Sequence, residues 1–241
     1  MRKFLSGFAL AALVVSALCA LPAQAIVGRS QPAQNAALVM VLGRDARSAG
    51  FCSGVVIGPR AVLTAAHCAH EPADTRIHYK DASGAPVLLE VARVMRHPGF
   101  RADAVAARAR SVDLAIVVTR SNLPSAFAPV RIASASNAIG ARFTIAGFGL
   151  SQEGSPQSGG LLRSAEVALR APQSNLLLWL AGEGGACTGD SGGGVFGPDG
   201  ALVGIVAFAA GDGRTRCGAL TQAVRVAPFA GWIEETMLMT R

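Results

Sequence analysis

The sequence predicts an all-β fold, arranged as a double barrel or a sandwich of short strands. Short apolar segments recur along the chain at regular spacing, which is typical of such folds. The 28 glycines and 12 prolines among 241 residues suit tight turns between these segments. A stretch containing proline and serine, at about residues 121–129, separates two halves with the same pattern.

Five segments with strand character precede this crossing and five follow it. In the first half they are residues 37–42, 52–57, 61–64, 87–95 and 114–119, and in the second half 142–146, 161–169, 176–180, 201–208 and 220–226. After the last of these segments, Pro228 is followed by apolar residues at helical spacing. Because proline is favoured in the first turn of a helix, residues 228–238 are predicted to close the chain as an amphipathic helix.

The first 25 residues read as a cleavable export signal. Arg2 and Lys3 precede an apolar run at residues 8–21, and Ala23-Gln24-Ala25 is a small-residue cleavage site. The apolar run is shorter than the roughly 20 residues of a membrane-spanning helix, so no stable membrane anchor is expected. The prediction is a secreted or periplasmic protein whose mature chain, residues 26–241, begins at Ile26.

Charge and cysteine content exclude several classes of function. Loss of Arg2 and Lys3 with the signal lowers the formal net charge from +7 to +5, and the remaining basic residues are scattered. A scattered charge does not predict a nucleic-acid partner.

Four cysteines remain in the exported chain, namely Cys52, Cys68, Cys187 and Cys217. An even number in an exported protein predicts two disulfides, for which spacing alone allows three connectivities. Neither paired cysteines nor clustered histidines mark a zinc site, and acidic residues are too dispersed for a calcium loop. We expect no metal and no cofactor.

The glycine-rich stretch 187–194 holds one serine, Ser191, that could present its hydroxyl to a substrate. Serine needs a base to become a good nucleophile. His67 is a candidate base because it follows an apolar strand and stands beside a cysteine. Asp113 opens a continuous apolar run, where a carboxylate needs a partner, and His67 would supply it.

These segments together resemble the chymotrypsin-like serine proteases of the trypsin (S1) family, in a secreted member of bacterial type. The resemblance spans about residues 26–233. It is carried, in order, by Ile26-Val27-Gly28, residues 63–68, His97-Pro98, and residues 113–117, 147–149, 189–193 and 204–206. It implies two six-stranded antiparallel β-barrels packed together with a C-terminal helix. The first barrel would span about 26–125, the second about 126–226, and the helix about 228–238.

The resemblance also implies roles for individual residues. Ser191 would attack the scissile carbonyl, His67 would act as general base and acid, and Asp113 would orient the histidine. The backbone N–H groups of Gly189 and Ser191 would form the oxyanion hole. The implied disulfides are Cys52–Cys68 and Cys187–Cys217.

Two further implications concern activation and specificity. Asp190 would pair with the free α-amino group of Ile26, which signal cleavage would create directly. The primary pocket would be lined by Gly185, Ala207, Ala209 and Thr221. Because Gly185 stands where trypsin-like members carry an acid, a preference for small or medium apolar residues before the cleaved bond is expected.

The expected partners are protein or peptide substrates and protein inhibitors, and the expected state is a monomer. The alternative function is a catalytically weak or inactive protein of the same fold that acts as a binding or antimicrobial protein. A replaced triad residue marks such proteins, whereas this chain has all three.

Overall fold

The computed structural model describes residues 26–239 except residues 47, 108–110 and 137. The predicted export signal at residues 1–25, with its cleavage site, lies outside the described residues. Within the described part of the chain, no helix is long and apolar enough to cross a membrane.

The first barrel is a closed antiparallel sheet of six strands. These are β3 (Leu38–Arg44), β4 (Ala49–Gly58), β5 (Ala61–Thr64), β6 (Thr75–Lys80), β7 (Pro86–Arg96) and β8 (Ala115–Thr119). They close in the order β3-β4-β5-β8-β7-β6. The pairing of β5 with β8 sets Thr64 opposite Ala115, so the residues that follow β5 meet the residues that precede β8. That register brings His67 to Asp113.

The second barrel also contains six antiparallel strands. These are β9 (Arg142–Gly147), β10 (Arg163–Ser174), β11 (Leu177–Ala181), β13 (Gly194–Phe196), β14 (Leu202–Ala210) and β15 (Leu220–Arg225). The sheet runs β11-β15-β14-β13-β9-β10 and closes through the β10–β11 pairing. The prediction of an all-β fold with two six-stranded barrels is therefore confirmed.

Three short strands lie outside the barrel walls. Strand β1 (Val27–Gly28) pairs with β12 (Gly184–Gly185), and β2 (Gln31–Pro32) pairs with the start of β10. The segment that follows the predicted cleavage site is therefore held against the second barrel by backbone pairing.

Apolar side chains fill both barrels and the space between them. Val39, Val62 and Ile77 belong to the interior of the first barrel. A larger cluster joins the barrels, with Leu63 from the first and Ile205 from the second both fully buried. Alternation of apolar and polar residues along the strands allows each strand to contribute to such a core on one face.

A short helix, α1 (Ala102–Ala106), lies between β7 and β8, and a second, α2 (Ala230–Leu238), ends the described chain. Helix α2 begins two residues later than the predicted position 228, because residues 227–229 form a 3₁₀ turn that contains Pro228. Ile233 packs into the cluster between the barrels. The helix therefore closes the domain by covering the junction of the two barrels.

Two barrel strands, β6 and β13, were not predicted from the sequence. Strand β6 has polar and charged residues at most positions, and only Ile77 and Thr75 are buried. Strand β13 has only three residues and begins with a glycine. Strand β6 alternates strand-favouring residues with charged or polar ones but has no apolar run, and β13 is too short to show a pattern.

Candidate active site

His67 and Asp113 form a close pair on the first barrel. His67 lies in a 3₁₀ turn (Ala66–Cys68) after β5. Its Nδ1 is 2.6 Å from Asp113 Oδ2, and its backbone N–H donates to Asp113 Oδ1 at 2.9 Å. The Asp113 side chain is only 6% exposed. Both of its oxygens contact His67, one through the backbone N–H and one through Nδ1. This two-point contact sets both the position and the ring orientation of the histidine.

The pairing also decides which ring nitrogen carries the proton. An ionised carboxylate can only accept hydrogen bonds, so the Nδ1 of neutral His67 must donate to Asp113. The lone pair is then on Nε2, which is the nitrogen a general base needs. His67 remains 28% exposed, so its ring is accessible from the cleft.

A disulfide supports the turn that carries His67. Cys68 is bonded to Cys52 of β4, with an S–S distance of 2.01 Å. In the described part of the chain, Cys52, His67 and Cys68 are the one group of three potential metal ligands that lie close together. Since both cysteine sulfurs are joined in the disulfide, they are not available as thiolate ligands. These residues do not fit a metal site.

Ser191 stands in the glycine-rich turn of the second barrel and meets the turn of His67 across the junction. The following residue, Gly192, packs so closely that a methyl group on it would lie 2.1 Å from Thr64 Oγ1 and 3.2 Å from the Ala65 nitrogen. Gly192 also has a φ of +81°, which favours glycine. Among the described residues, no group forms a hydrogen bond with the Ser191 hydroxyl, His67 included.

The backbone of this turn leaves two donors free. The carbonyl of Thr188 accepts from Leu150 N–H, and that of Asp190 accepts from Gly193 N–H. Each of these carbonyls belongs to the peptide unit whose N–H is on Gly189 or Ser191, and in a trans peptide the N–H points away from the carbonyl. Neither N–H has an acceptor within the described chain. Free, fixed donors beside a nucleophile are the requirement for an oxyanion hole.

Ser53 is a contact residue of this turn that sequence reasoning missed. Its hydroxyl donates to the Gly189 carbonyl at 2.9 Å and accepts from Phe148 N–H at 2.9 Å. Its own N–H donates to the Ser191 carbonyl at 2.8 Å. The residue lies inside an ordinary strand segment next to Cys52, so no sequence signal distinguished it.

Asp190 is buried beneath the turn. Its Oδ1 accepts from Gly149 N–H at 2.8 Å and its Oδ2 from Cys187 N–H at 2.9 Å. Burial raises the pKa of this carboxyl to about 7, although the two hydrogen bonds act in the opposite direction. Since no ion pair with a cation is formed by Asp190 in the described residues, the carboxyl lacks the partner that burial of a charge calls for.

The segment beginning at Ile26 is docked near Asp190. The Ile26 side chain is 1% exposed and shares a cluster with Ala186, which precedes Cys187. The Ile26 carbonyl accepts from the Ser30 hydroxyl at 2.8 Å. Ile26 has a φ of +56°, a conformation that is unfavourable for a β-branched residue inside a chain. In the 241-residue chain its nitrogen is part of a peptide bond and carries no charge.

The residues assigned to the primary pocket lie around the same turn. Gly185 is buried, and a methyl group on it would lie 2.3 Å from the carbonyl oxygen of Gly218. Thr221 is fully buried, and its hydroxyl accepts from Ala186 N–H at 2.9 Å. The Thr221 hydroxyl therefore holds the backbone of Ala186 in place.

The two alanines assigned to the primary pocket lie near the end of β14. Ala209 is opposite Thr221 in the β14–β15 pairing, and Ala207 is 7% exposed within the cluster between the barrels. The disulfide Cys187–Cys217 spans the region and joins the serine turn to the segment that contains Gly218.

A hollow opens beside His67. It has a volume of about 160 Å³ and is lined mainly by small residues of β3 and β4, together with Phe51, His67 and His70. It lies beside the Cys52–Cys68 disulfide, and its lining residue Phe51 also packs against Gly189 of the serine turn.

Comparisons with known proteins agree with this arrangement. The family model described as Trypsin matches residues 26–233. "Trypsin, alkaline A" of Manduca sexta is 30% identical over 97% of this chain and 98% of the relative. "Kallikrein-8" of Rattus norvegicus is 28% identical over 77% of this chain and 76% of the relative. These relatives come from an insect and a mammal, so they give no support to the expected bacterial type.

Solved structures agree in fold. Neuropsin, a serine protease expressed in the limbic system of mouse brain, superposes with a TM-score of 0.65 at 24% identity, covering 82% of this chain and 93% of neuropsin. The structure of GrC gives a TM-score of 0.71 at 21% identity and covers 86% of this chain and 96% of GrC. At these identities the likeness concerns the fold alone. Together with the sequence matches, it shows that the chain belongs to the trypsin family and is a serine endopeptidase.

Proposed function

We propose that Ser191, His67 and Asp113 form the catalytic triad of this endopeptidase. The observation that carries the proposal is the two-point contact of Asp113 with His67, which leaves Nε2 as the basic nitrogen. Within the residues that the structure describes, the nearby turn supplies a hydroxyl without a competing partner and two unpaired N–H groups.

The geometry supports acyl transfer in two steps. In the first, Ser191 Oγ attacks the scissile carbonyl while His67 Nε2 removes its proton, and the carbonyl oxygen becomes an oxyanion between Gly189 N–H and Ser191 N–H. The imidazolium is stabilised by Asp113. The C–N bond then breaks, and His67 gives its proton to the leaving amine.

In the second step, water replaces the amine. His67 removes a proton from the water, which attacks the acyl ester, and the same two N–H groups hold the second oxyanion. Breakage of the ester C–O bond returns the proton to Ser191 Oγ and releases the acid. Asp113 keeps its charge throughout and serves only to orient and stabilise His67.

Covalent labelling tests the triad. The chain beginning at Ile26 should react with a fluorophosphonate at Ser191, and S191A should not react. His67→Ala should lower the labelling rate by several orders of magnitude, because the hydroxyl loses its base. Absence of labelling in correctly processed protein would favour the alternative, a binding or antimicrobial protein of this fold.

We also propose that the primary pocket takes small or medium apolar side chains. No acid stands at Gly185, and the Gly218 backbone occupies the space into which a side chain at 185 would point. A lysine or arginine of the substrate would therefore find neither a counter-charge nor depth. Ala209 adds a methyl group on the opposite wall.

A panel of chromogenic peptides that differ only in the residue before the cleaved bond tests this preference. Peptides with Ala or Val should have a kcat/KM about tenfold or more above that of Arg, with Leu and Phe between them. Fastest cleavage after Arg would refute the pocket assignment and leave the triad assignment intact.

We propose further that removal of the export signal activates the enzyme. Cleavage after Ala25 would turn the Ile26 nitrogen into an ammonium group, and Asp190 is a buried carboxyl that pairs with no cation among the described residues. Their pairing would hold the serine turn. Chains beginning at Ile26 and at Ala25 should therefore differ in activity, with at least a tenfold loss in the longer chain. Equal activity would refute this activation step.

The proposal includes export, action as a monomer on proteins or peptides, and inhibition by protein inhibitors. Cell fractionation, size-exclusion chromatography and titration with a protein inhibitor test these points. A stable dimer, or retention of the processed chain in the cytoplasm, would contradict them.

A further inference from the structure

We infer that Ser53, a buried residue of the first barrel, is a positioning residue that fixes the oxyanion hole of the second barrel. The inference rests on the proposed roles of Gly189 and Ser191. Ser53 has no exposed surface and touches none of the reacting atoms in the proposed mechanism. Its effect on catalysis must therefore act through the serine turn.

Ser53 makes two contacts to that turn, one from its hydroxyl and one from its backbone. The hydroxyl donates to the Gly189 carbonyl, and the N–H donates to the Ser191 carbonyl. The hydroxyl also accepts from Phe148 N–H, so it is held from both sides. Its strand is held in turn by Thr64, whose hydroxyl donates to the Ser53 carbonyl at 2.7 Å.

The four carbonyls from residue 188 to residue 191 are all engaged, and this determines which N–H groups stay free. Three of them accept from backbone N–H groups, those of Leu150, Gly193 and Ser53. The Gly189 carbonyl alone accepts from a side chain, the hydroxyl of Ser53. The N–H of the same peptide unit, on Asp190, donates to the Cys187 carbonyl at 3.1 Å. A substitution at Ser53 therefore removes one of the two hydrogen bonds that hold this unit and leaves the backbone contacts of its neighbours in place.

A net change in the torsions on either side of that unit would alter the angle between the two oxyanion donors. The peptide unit of the Gly189 carbonyl lies between the unit that carries Gly189 N–H and the unit that carries Ser191 N–H. Gly189 has a φ of +94° and no side chain, so its own torsions resist rotation weakly. The Ser53 hydroxyl, on the carbonyl side, and the bond from Asp190 N–H to Cys187, on the other side, together supply the resistance that the glycine lacks. Accurate placement of these donors matters because they act on charge that exists only in the transition state.

Ser53→Ala tests the inference, because it deletes the hydroxyl and keeps the N–H bond to Ser191. Rates are measured per active site, counted by fluorophosphonate labelling. We expect kcat per labelled serine to fall about tenfold while KM changes less than about twofold. The inhibition constant of a peptide aldehyde, whose adduct carries the oxyanion, should rise by the same factor as kcat falls.

Thr119→Val is the matched control. Thr119 is another fully buried hydroxyl of the first barrel, and it donates to the Ser121 and Arg60 carbonyls away from the turn. This variant should lower thermal stability by an amount comparable to Ser53→Ala but leave the per-site kcat and the aldehyde affinity unchanged.

The outcomes separate the inference from the proposed function. Unchanged per-site kcat and aldehyde affinity in Ser53→Ala would overturn the inference, as would equal losses in Thr119→Val. If Ser53→Ala does not fold, Ser53→Gly removes the same hydroxyl and is judged by the same constants. Failure of the wild-type chain to label at Ser191 would instead overturn the proposed triad.

Discussion

Because Asp190 is a buried carboxyl, we predict that the stability of the chain depends on pH before the N-terminus at Ile26 is released. The perturbation is a chain that begins at Ala25, in which the Ile26 nitrogen cannot carry a charge, compared with the same chain carrying Asp190→Asn. Both are made in a Ser191→Ala background so that self-cleavage does not interfere. Asparagine retains one acceptor for the N–H groups of Gly149 and Cys187 and does not titrate.

The magnitude follows from the pKa of the buried carboxyl. Folding raises this pKa from 3.8 to about 7, so the folded chain holds a proton that the unfolded chain has lost between about pH 4 and pH 7. The free energy of unfolding therefore falls as the pH rises through this window. A shift of about 3 pH units corresponds to a loss on the order of 4 kcal/mol. The contribution is fully present below about pH 4 and is lost above about pH 7.

Urea unfolding between about pH 4 and pH 8 measures this effect. We compare the free energy of unfolding of the chain that retains Asp190 with that of the chain that carries Asp190→Asn. Subtracting one from the other removes the contributions of all other titrating groups. As the pH rises across this window, we expect the free energy of unfolding of the chain that retains Asp190 to fall by up to about 4 kcal/mol relative to that of the chain that carries Asp190→Asn. In chains that begin at Ile26, the shift should be much smaller, because the new ammonium group stabilises the ionised carboxylate.

A difference that stays flat or rises with pH in the extended chain would refute the reasoning. It would mean that some other group already neutralises Asp190 before the N-terminus is freed. Equal shifts in the extended and processed chains would refute the pairing with Ile26 while leaving the effect of burial intact.

Three further predictions concern the site itself. Asp113→Asn should lower kcat about 10⁴-fold, because an amide can hold the histidine in the wrong tautomer, and steady-state kinetics with normal folding would check it. Gly189→Ala should lower stability by about 1–3 kcal/mol in thermal unfolding and reduce labelling, because the methyl group would lie 2.4 Å from the Phe51 ring at a φ of +94°. Gly185→Asp should destabilise the chain and fail to create cleavage after Arg, because its side chain meets the Gly218 carbonyl; gain of such cleavage would contradict the shallow pocket.

The sequence was sufficient for the broad architecture because its information there is local. Apolar runs and turn residues placed most strands within a few residues, since burial on one face repeats with a short period. It failed for β6, in which Ile77 is the one buried apolar residue, and for β13, which is only three residues long. It also placed the start of α2 two residues early, because Pro228 lies in a preceding 3₁₀ turn.

Candidate residues were accessible from sequence where a residue type carries rare chemistry. A serine among glycines, a histidine beside a cysteine and an acid at the mouth of an apolar strand each require an explanation. The spacing of the cysteines left three connectivities open, and only the resemblance to the trypsin family implied the two disulfides that are present. Ser53 carries no such signal. Serine is common in strands, and its importance depends on the carbonyl that it meets 136 residues away in sequence.

The sequence by itself therefore determined the all-β class and the candidate residues Ser191, His67 and Asp113, because these depend on residue type and on local pattern. Their roles as a triad, and the significance of Gly185, came from the resemblance to the trypsin family. The tertiary structure decided which groups meet. The β5–β8 register brings His67 to Asp113, the junction of the barrels brings Ser53 to Gly189, and close backbone packing sets Gly218 against Gly185. Contacts between segments far apart in the chain arise only when both barrels are closed and packed, so no local pattern encodes them.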